Sequence, residues 1–283
     1  MANDSKDTLE TPLIKVSPYN KVCLAFNCNC VSSEMTDYII DMLKDAANAI
    51  DRNGFDKKWK DDNGVEHPVY GHLFHANSVS TSLDYIKNGF MYSRKYGEKY
   101  RKGIQTKQKS DGIDKCLGIY NDIFFDNSDI AYRLYKYNAY GPVLFVFDIE
   151  ALRGKNVRIT KCNPIYAGVK TATYSSLFYT SEEEISAAVR NAPDNMIFLN
   201  DCGHHVTLFN TPKLALKGNL KEIILEKCYD GSGKENELKD LILQELRNSK
   251  ITNVKVAVRP GPPVPEEDRK SSAPVEELWR FPE

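Results

Sequence analysis

Residues 70–94, YGHLFHANSVSTSLDYIKNGFMYSR, are the stretch that decides the fold. They begin with a short apolar run of the kind that forms a buried strand, and this run ends at His75. Ser78 or Ser80 is suited to cap a following helix, and Gly89 is the residue expected where that helix ends in a left-handed turn. A strand, a polar turn and a helix in this order can hold a small anionic or ribosyl ligand. We therefore expect a binding pocket beside His75.

The rest of the chain predicts many strands with few helices between them. Residues 34–51 carry apolar side chains on one helical face and predict an amphipathic helix. Residues 143–147, VLFVF, are apolar at every position, which is typical of a central strand buried on both faces. Further strands are predicted at residues 22–28, 156–161, 196–199, 206–209, 220–227 and 251–258, and further helices at residues 181–190 and 236–248. This pattern predicts an α+β domain on an antiparallel sheet.

The composition divides the chain into three parts. Residues 1–18 are polar and predict a flexible N-terminal arm, and residues 19–258 predict a single α+β domain. Six of the 13 prolines lie in residues 259–283, which predicts a Pro-rich, disordered tail. The apolar side chains around Trp279 could dock a protein partner, or could pack on the chain's own domain.

The overall charge favours no particular class of partner. With 38 Lys and Arg against 39 Asp and Glu, the net charge is -1, so any nucleic-acid binding must come from a local surface. No apolar run reaches the roughly 18 residues of a membrane span, and the N-terminus has no signal-peptide core. We therefore expect a cytoplasmic protein that does not bind membranes.

Seven cysteines, an odd number, indicate reduced thiols rather than a disulfide framework. Cys28 and Cys30 lie close to Cys23 and, with a histidine, could form a metal site. Zinc sites are usually built from two such pairs, and the sequence has no second pair. We therefore expect buried cysteines and no bound metal.

Two further stretches combine aromatic and polar residues. Residues 87–115 hold nine Lys or Arg against three Asp or Glu, and tyrosines recur there at helical spacing from Tyr92. Such a run can stack bases and neutralise phosphates, or it can be a solvated loop whose tyrosines lie on the core. Residues 117–129, LGIYNDIFFDNSD, are expected to form a loop that its aromatics anchor and whose polar groups face a pocket.

The motif LFHANSVSTSLDYIKNGF, the segment LGIYNDIFFD ahead of VLFVFDI, and NVRITKCNP follow one another in the order found in ADP-ribosyltransferases. Over residues 70–228 the chain resembles the DarT-like branch of that family. The resemblance implies an ADP-ribosyltransferase-like split antiparallel β-sheet, with NAD bound as a substrate. It also implies transfer of ADP-ribose to a nucleic-acid or protein acceptor, with residues 92–115 holding the acceptor if it is nucleic acid.

The resemblance also implies which residues bind NAD. His75 matches the histidine that hydrogen-bonds the ribose on the nicotinamide side, and Ser78 lies near the position of a small hydroxyl residue. A guanidinium suits two phosphate oxygens, so Arg94 is expected at the pyrophosphate. Tyr120 is expected to stack on nicotinamide, and Asp122 to bind a ribose hydroxyl or to cap the turn after Tyr120.

The family's catalytic glutamate has no counterpart in this chain. Its position falls at His204 and His205, and no glutamate lies between Glu184 and Glu222. A neutral histidine can act as a base but supplies no negative charge. His205 and Asp201, the nearest carboxylate, are therefore the catalytic candidates. Because neighbouring residues of a strand point to opposite faces, at most one of the two histidines can face a shared pocket.

Three functions are compatible with these residues. The first is a DarT-like ADP-ribosyltransferase toxin. The second is a non-catalytic binding or inhibitor protein on the same fold, acting in the conflict between phages and bacterial defences, which the missing glutamate and the tail with Trp279 favour. The third is a metal-dependent nuclease or phosphohydrolase that uses Asp122, Asp126 and the histidine pair.

Overall fold

A computed structural model of the 283-residue chain describes residues 15–16, 22–23, 33–52, 58–61, 63–108, 110–129, 138, 140–163, 174–191, 204–228, 232–259 and 275–282. Several segments with predictions lie outside the described residues. They are most of the arm at residues 1–18, the end of the strand at residues 22–28, Cys28 and Cys30, the strand at residues 196–199, Asp201, and residues 260–274 of the tail.

In chain order the described strands are β1 (Lys15–Val16), β2 (Val22–Cys23), β3 (Lys58–Lys60), β4 (Glu66–Pro68), β5 (Tyr70–Asn77), β6 (Phe90–Tyr92), β7 (Ile123–Ser128), β8 (Val143–Phe147), β9 (Val157–Ile159), β10 (Val206–Leu208), β11 (Lys213–Ala215), β12 (Leu220–Glu226) and β13 (Lys255–Arg259). The helices are α1 (Ser33–Arg52), α2 (Val79–Asn88), α3 (Arg94–Tyr100), α4 (Asp111–Leu117), α5 (Tyr174–Leu177), α6 (Glu182–Asn191), α7 (Lys234–Asn248) and α8 (Val275–Leu278), with a 3-10 helix at Ile149–Leu152. Within the described part of the chain, no helix is both long and apolar enough to cross a bilayer.

The main sheet has seven strands in the order β13-β12-β8-β5-β7-β10-β9. Its neighbouring strands are antiparallel, except that β12 and β13 are parallel. The parallel pair is connected through α7, because parallel neighbours need a crossover rather than a hairpin. The fold is therefore the expected α+β arrangement, with one parallel pair at the edge of a mainly antiparallel sheet.

The central strand β8 is buried on both faces, as the apolar run predicts. Its side chains alternate between two cores: Phe145 and Phe147 belong to the main core, which α1, α2 and α7 cover, and Leu144 and Val146 belong to a smaller core. Trp59 of the β3–β4 hairpin closes that smaller core. Burial of apolar side chains on both faces fixes the register of β8, since a slip by one residue would exchange the two faces.

The sheet splits between β5 and β7. Tyr70 pairs with Ser128, and Phe74 pairs with Asp126, but no pairing between these strands continues beyond Phe74. β5 goes on along β8 to its last residue, whereas β7 pairs with β10 over its first three residues. The two halves of the sheet therefore diverge at Phe74 and Asp126, which is the split that the resemblance implies.

The end of the chain packs on the domain. Leu278 and Trp279 are buried at and beside α8, and Trp279 belongs to the main core. These residues therefore follow the alternative in which the end of the chain packs on its own domain, because removing the indole from contact with water favours the packed arrangement. Arg259, expected at the start of the tail, is instead the last residue of β13 and is buried in ion pairs with Asp129 and Glu226.

Candidate functional site

The split between β5 and β7 opens into a cleft of about 870 Å³, a volume that includes space continuous with the solvent. His75 and Asn77 line it from β5, and Phe124 and Asp126 line it from β7. Gly141 lies against the backbone of Asn77 with a φ of +143°, and a Cβ atom there would overlap the Asn77 carbonyl. Glycine is the residue that allows this close approach at the wall of the cleft.

His75 lies half-buried at the point where the strands diverge. Its Nδ1 is 2.8 Å from the carbonyl oxygen of Phe124 on β7. Because a carbonyl can only accept, Nδ1 carries the hydrogen and Nε2 is the basic nitrogen. Asn77 Nδ2 approaches Nε2 at 3.4 Å. Burial lowers the pKa of His75, against the Phe124 hydrogen bond and the Asp126 charge, which raise it. The ring is therefore neutral near pH 7, and Nε2 can accept a hydrogen bond in the cleft.

Arg94 lies at the start of α3 and also lines the cleft. Its Nε and Nη2 donate to the two carboxylate oxygens of Asp111 at 3.0 and 2.8 Å, and Nη2 also donates to the Thr106 carbonyl at 2.8 Å. Nη1 is buried and has no hydrogen-bond partner among the described residues. The guanidinium is thus held rigidly by Asp111, with one nitrogen left for a ligand.

Asp122 is a buried carboxyl group in the wall of the cleft. Its Oδ1 accepts a 2.7 Å hydrogen bond from the Asn210 N–H, while Oδ2 has no partner in the described part of the chain. Burial raises the pKa of Asp122 to about 8, and the Asp114 charge adds to that effect. Burial likewise raises the pKa of Asp114, on α4, to about 6. Near neutral pH Asp122 is therefore mainly a carboxylic acid that can donate a hydrogen bond.

His205 and His204 face opposite ways, as expected for neighbours in an extended chain. His205 lines the cleft, with its Nδ1 2.9 Å from Asp126 Oδ1 and its backbone N–H 2.7 Å from Thr160 Oγ1. His204 Nδ1 instead lies 2.7 Å from the Thr160 carbonyl, and its ring packs near Tyr179. His205 is thus in contact with a carboxylate inside the cleft.

Ser78 and Tyr120 do not line the cleft. Ser78 is fully buried outside the cleft wall, where its hydroxyl donates to Thr81 Oγ1 and accepts from Thr106 Oγ1. This hydroxyl therefore holds the segment after α3 onto α2. The Tyr120 ring is also outside the cleft wall, and Lys115 Nζ lies 4.6 Å from its centroid. The aromatic rings that do line the cleft are Tyr85, Tyr92, Phe74, Phe124 and Tyr140.

The cleft also holds polar residues that the sequence did not point to as NAD contacts: Asn77, Gln108, Ser110, Asp114 and Asn163. Asp126 is expected from the sequence as one of the polar groups that face a pocket, or as a metal ligand. The sequence does contain a signal that Asp126 faces the cleft, because it lies two residues after Phe124 and therefore on the same face of β7. No local signal marks Gln108 or Ser110, since long-range contacts such as Thr106 to Ser78 bring their segment to the cleft.

Three of the four residues proposed for a metal-dependent hydrolase line the cleft, namely Asp122, Asp126 and His205. The fourth, His204, faces away. Among the described residues, no group of three or more His, Cys, Asp or Glu side chains is arranged to hold a metal ion. The four residues of this hypothesis are therefore not all brought together at the cleft.

A row of tyrosines leads from the cleft to the surface, within the basic run at residues 92–115. This tyrosine row consists of Tyr92, which lines the cleft, Tyr96, and Tyr100, which is 55% exposed. Successive ring centroids are 5.6 and 4.6 Å apart. Lys213 Nζ lies 4.5 Å from the Tyr96 centroid, and Lys99 Nζ lies 4.8 Å from that of Tyr100. Cations and aromatic faces thus occur together on this surface.

The sequence matches no protein-family model and no curated protein. Among solved structures, the chain is similar to Thermus sp. 2.9 DarT in complex with NAD+, at 12% identity and a TM-score of 0.41, over 67% of this chain and 96% of that chain. It is also similar to Thermus sp. 2.9 DarT in complex with ADP-ribosylated ssDNA, at 12% identity and a TM-score of 0.43, over 72% and 98% of the two chains. For Thermosipho africanus DarTG in complex with ADP-ribose, the identity is 10%, the TM-score 0.41, and the coverage 67% and 50%. These similar structures are thus of DarT and DarTG proteins, the group that the sequence motifs resemble.

Proposed function

We propose that the cleft binds NAD and that the protein transfers ADP-ribose from NAD to an acceptor. The observation that carries this proposal is His75 at the split of the sheet, with Nδ1 bonded to the Phe124 carbonyl and Nε2 left basic. A ribose hydroxyl is a matching donor for Nε2 and would replace the 3.4 Å contact with Asn77 Nδ2. A fixed imidazole at the opening between two diverging strands provides an oriented contact for the ribose of NAD.

Two further groups supply contacts for NAD. Arg94 Nη1 is a charged donor for a phosphate oxygen of the pyrophosphate, although Asp111 already compensates part of its charge. The protonated Oδ2 of Asp122 is a donor for a hydroxyl or carbonyl oxygen. Aromatic contact with nicotinamide falls to rings of the cleft wall such as Tyr92 and Phe124, in place of Tyr120.

Transfer requires a base for the acceptor. As the acceptor O–H or N–H attacks the C1 atom of the nicotinamide ribose, the glycosidic C–N bond breaks and nicotinamide leaves with the bonding electron pair. The acceptor's proton passes to Nε2 of His205, which is the basic nitrogen if Nδ1 donates to Asp126. Asp201 is a further candidate carboxylate from its position four residues before His205.

The acceptor that suits the surface best is nucleic acid. The tyrosine row offers aromatic faces for bases, and Lys99 and Lys213 offer charges for phosphates. Transfer of ADP-ribose to nucleic acid would make the protein a toxin in the conflict between phages and bacteria, acting in the cytoplasm. A protein acceptor is the other possibility.

A second candidate function is a binding protein that holds NAD or a partner without transfer. The observation that favours it is the histidine at the position of the family's catalytic glutamate. The other argument for a binding protein was an exposed docking tail. Because Trp279 packs in the main core, it does not support that argument. NAD binding without NAD consumption would distinguish this function from transfer.

Calorimetric titration with NAD tests the site. We expect wild type to bind NAD and His75→Ala to lose binding. His72→Ala is the matched control, since His72 is half-buried on the same strand and does not line the cleft. Tight NAD binding by His75→Ala would remove the assignment of this site. Incubation of the wild-type protein with labelled NAD and a cell lysate then tests transfer, and no labelled macromolecule should form if the protein only binds.

A further inference from the structure

Asp126 is a carboxylate of the cleft that contacts His205 and whose charge acts on His75. It lies on β7 at the last pair with β5, opposite Phe74, so it marks the point where the sheet splits. Its Oδ1 is 2.9 Å from His205 Nδ1, and its charge also acts on His75. Asp126 was not expected to take part in an NAD site, and neither the resemblance nor the similar structures assign it a role.

We propose that Asp126 is the positioning residue of His205: it fixes the imidazole with hydrogen on Nδ1, so that Nε2 is the basic atom presented in the cleft. An ionised carboxylate can only accept, so the nitrogen in contact with it must carry the hydrogen. The hydrogen bond from the His205 N–H to Thr160 Oγ1 holds the backbone at this residue, which leaves the ring orientation to Asp126. The role of His205 as acceptor base rests on the proposed function, but its tautomer does not.

The surroundings of His205 support this role. The Phe124 ring meets the imidazole edge-on, with the centroids 6.0 Å apart and an interplanar angle of 90°, which limits rotation of the imidazole. Among the described residues, Asp114 and His204 interact electrostatically with His205, and Asp126 and Arg94 act on His75. In the described part of the chain, the carboxylate in contact with the His205 ring is that of Asp126. The pair thus supplies both a base and a negative charge where the family's glutamate is missing.

The test is a long-range nitrogen–proton NMR spectrum of the full chain labelled with 15N-histidine, in which His205→Gln assigns one of five histidines. We expect His205 to carry hydrogen on Nδ1 in wild type. In Asp126→Asn the tautomer with hydrogen on Nε2 becomes populated, because the amide can donate to Nδ1. Asp126→Glu should restore the wild-type pattern, and Glu98→Gln, which removes an exposed carboxylate, should leave it unchanged. The same His205 tautomer in wild type and Asp126→Asn would overturn the inference.

A functional readout follows on the same variants. We expect Asp126→Asn to keep its NAD affinity, to transfer ADP-ribose about 10- to 100-fold more slowly, and to move the pH midpoint of transfer to lower pH, with rescue by Asp126→Glu. A structural role alone would not move this midpoint. If wild type consumes NAD and Asp126→Asn does so at the same rate and midpoint, the inference fails while the proposed function stands. If wild type does not bind NAD, the proposed function fails, and the NMR spectrum still decides the role of Asp126.

Asp126→Asn must fold for these results to count. Its thermal unfolding midpoint and the unchanged resonances of the other four histidines provide that check. Should Asp126→Asn fail to fold, the spectra of wild type and Asp126→Glu decide the question: both should show His205 with hydrogen on Nδ1. Hydrogen on Nε2 of His205 in wild type would contradict the inference.

Discussion

The carboxylate of Asp111 holds the guanidinium of Arg94 in a two-point ion pair, with Nε and Nη2 at 3.0 and 2.8 Å from its two oxygens. Asp111 Oδ2 also accepts from the Gln108 N–H at 3.0 Å, so the pair ties α3 to the segment before α4. Both side chains are largely buried, at 15% and 20% exposure. Loss of either partner would therefore leave a charge without compensation at the cleft wall.

We predict that Arg94→Lys weakens NAD binding about tenfold or more and lowers the thermal unfolding midpoint, because an ammonium cannot reproduce the two-point contact. Calorimetry with NAD and a thermal melt measure the two effects. The control is Arg153→Lys, which changes a similar two-point contact to Glu150 on an exposed surface and should alter neither quantity much. An unchanged NAD affinity in Arg94→Lys would contradict a role for Arg94 in the site.

We predict that Asp122→Asn gains stability relative to wild type as the pH rises. The folded-state pKa of Asp122, about 8, lies above its unfolded value near 3.8, so the folded protein holds this proton between those values. Wild type therefore loses about 1.4 kcal/mol per pH unit from this group as the pH rises through that window. Urea unfolding at pH 5 and pH 7 should show a shift of roughly 3 kcal/mol in favour of the variant.

Asp148→Asn is the control with the opposite sign. Partial burial would raise the pKa of Asp148, but the hydrogen bond from the Glu150 N–H and the ion pair with Lys221 outweigh it and lower the pKa. A lowered folded-state pKa contributes stability above the unfolded value, so Asp148→Asn should lose stability relative to wild type as the pH rises from below 4 to neutral. Equal shifts for the two variants would contradict the raised pKa of Asp122.

The parts of the fold that the sequence predicts are those with a local cause. The amphipathic pattern at residues 34–51 differs from the observed Ser33–Arg52 by one residue at each end. The uninterrupted apolar run in β8 predicts its burial on both faces, and the apolar run from Tyr70 predicts β5. Each of these depends on periodicity within one segment, which tertiary contacts reinforce rather than override.

The candidate site was less predictable, because its contacts are between distant residues. Ser78 is a plausible ligand contact by sequence, but its hydroxyl is taken by Thr106, 28 residues away. Asp122 has its raised pKa from burial, which no neighbour in sequence reveals. The partnership of Asp126 with His205 depends on the pairing of β7 with β10. Strand pairing and burial are properties of the folded chain, so they could not be read from motifs.

We predict that Trp279→Ala destabilises the domain by about 3 kcal/mol, because it removes a large buried side chain from the main core. Urea unfolding measures the loss. Arg280→Ala, at the exposed neighbouring position, is the matched control and should change the free energy of unfolding by less than about 0.5 kcal/mol. A Trp279→Ala variant as stable as wild type would instead favour a docking role for this end of the chain.

The last prediction concerns the tyrosine row and the proposed nucleic-acid acceptor. A stacked base is worth about 1–3 kcal/mol, so Tyr100→Ala should weaken binding of a single-stranded oligonucleotide about 5-fold or more and leave NAD affinity unchanged. Lys213→Ala should reduce the slope of log affinity against log salt by about 0.7, the value for one phosphate contact. Lys60→Ala removes an exposed charge on β3 and is the control. Fluorescence anisotropy measures the oligonucleotide affinity of all three variants. If Tyr100→Ala and Lys213→Ala both bind the oligonucleotide as wild type does, this surface does not hold the acceptor, and a protein acceptor becomes the favoured alternative.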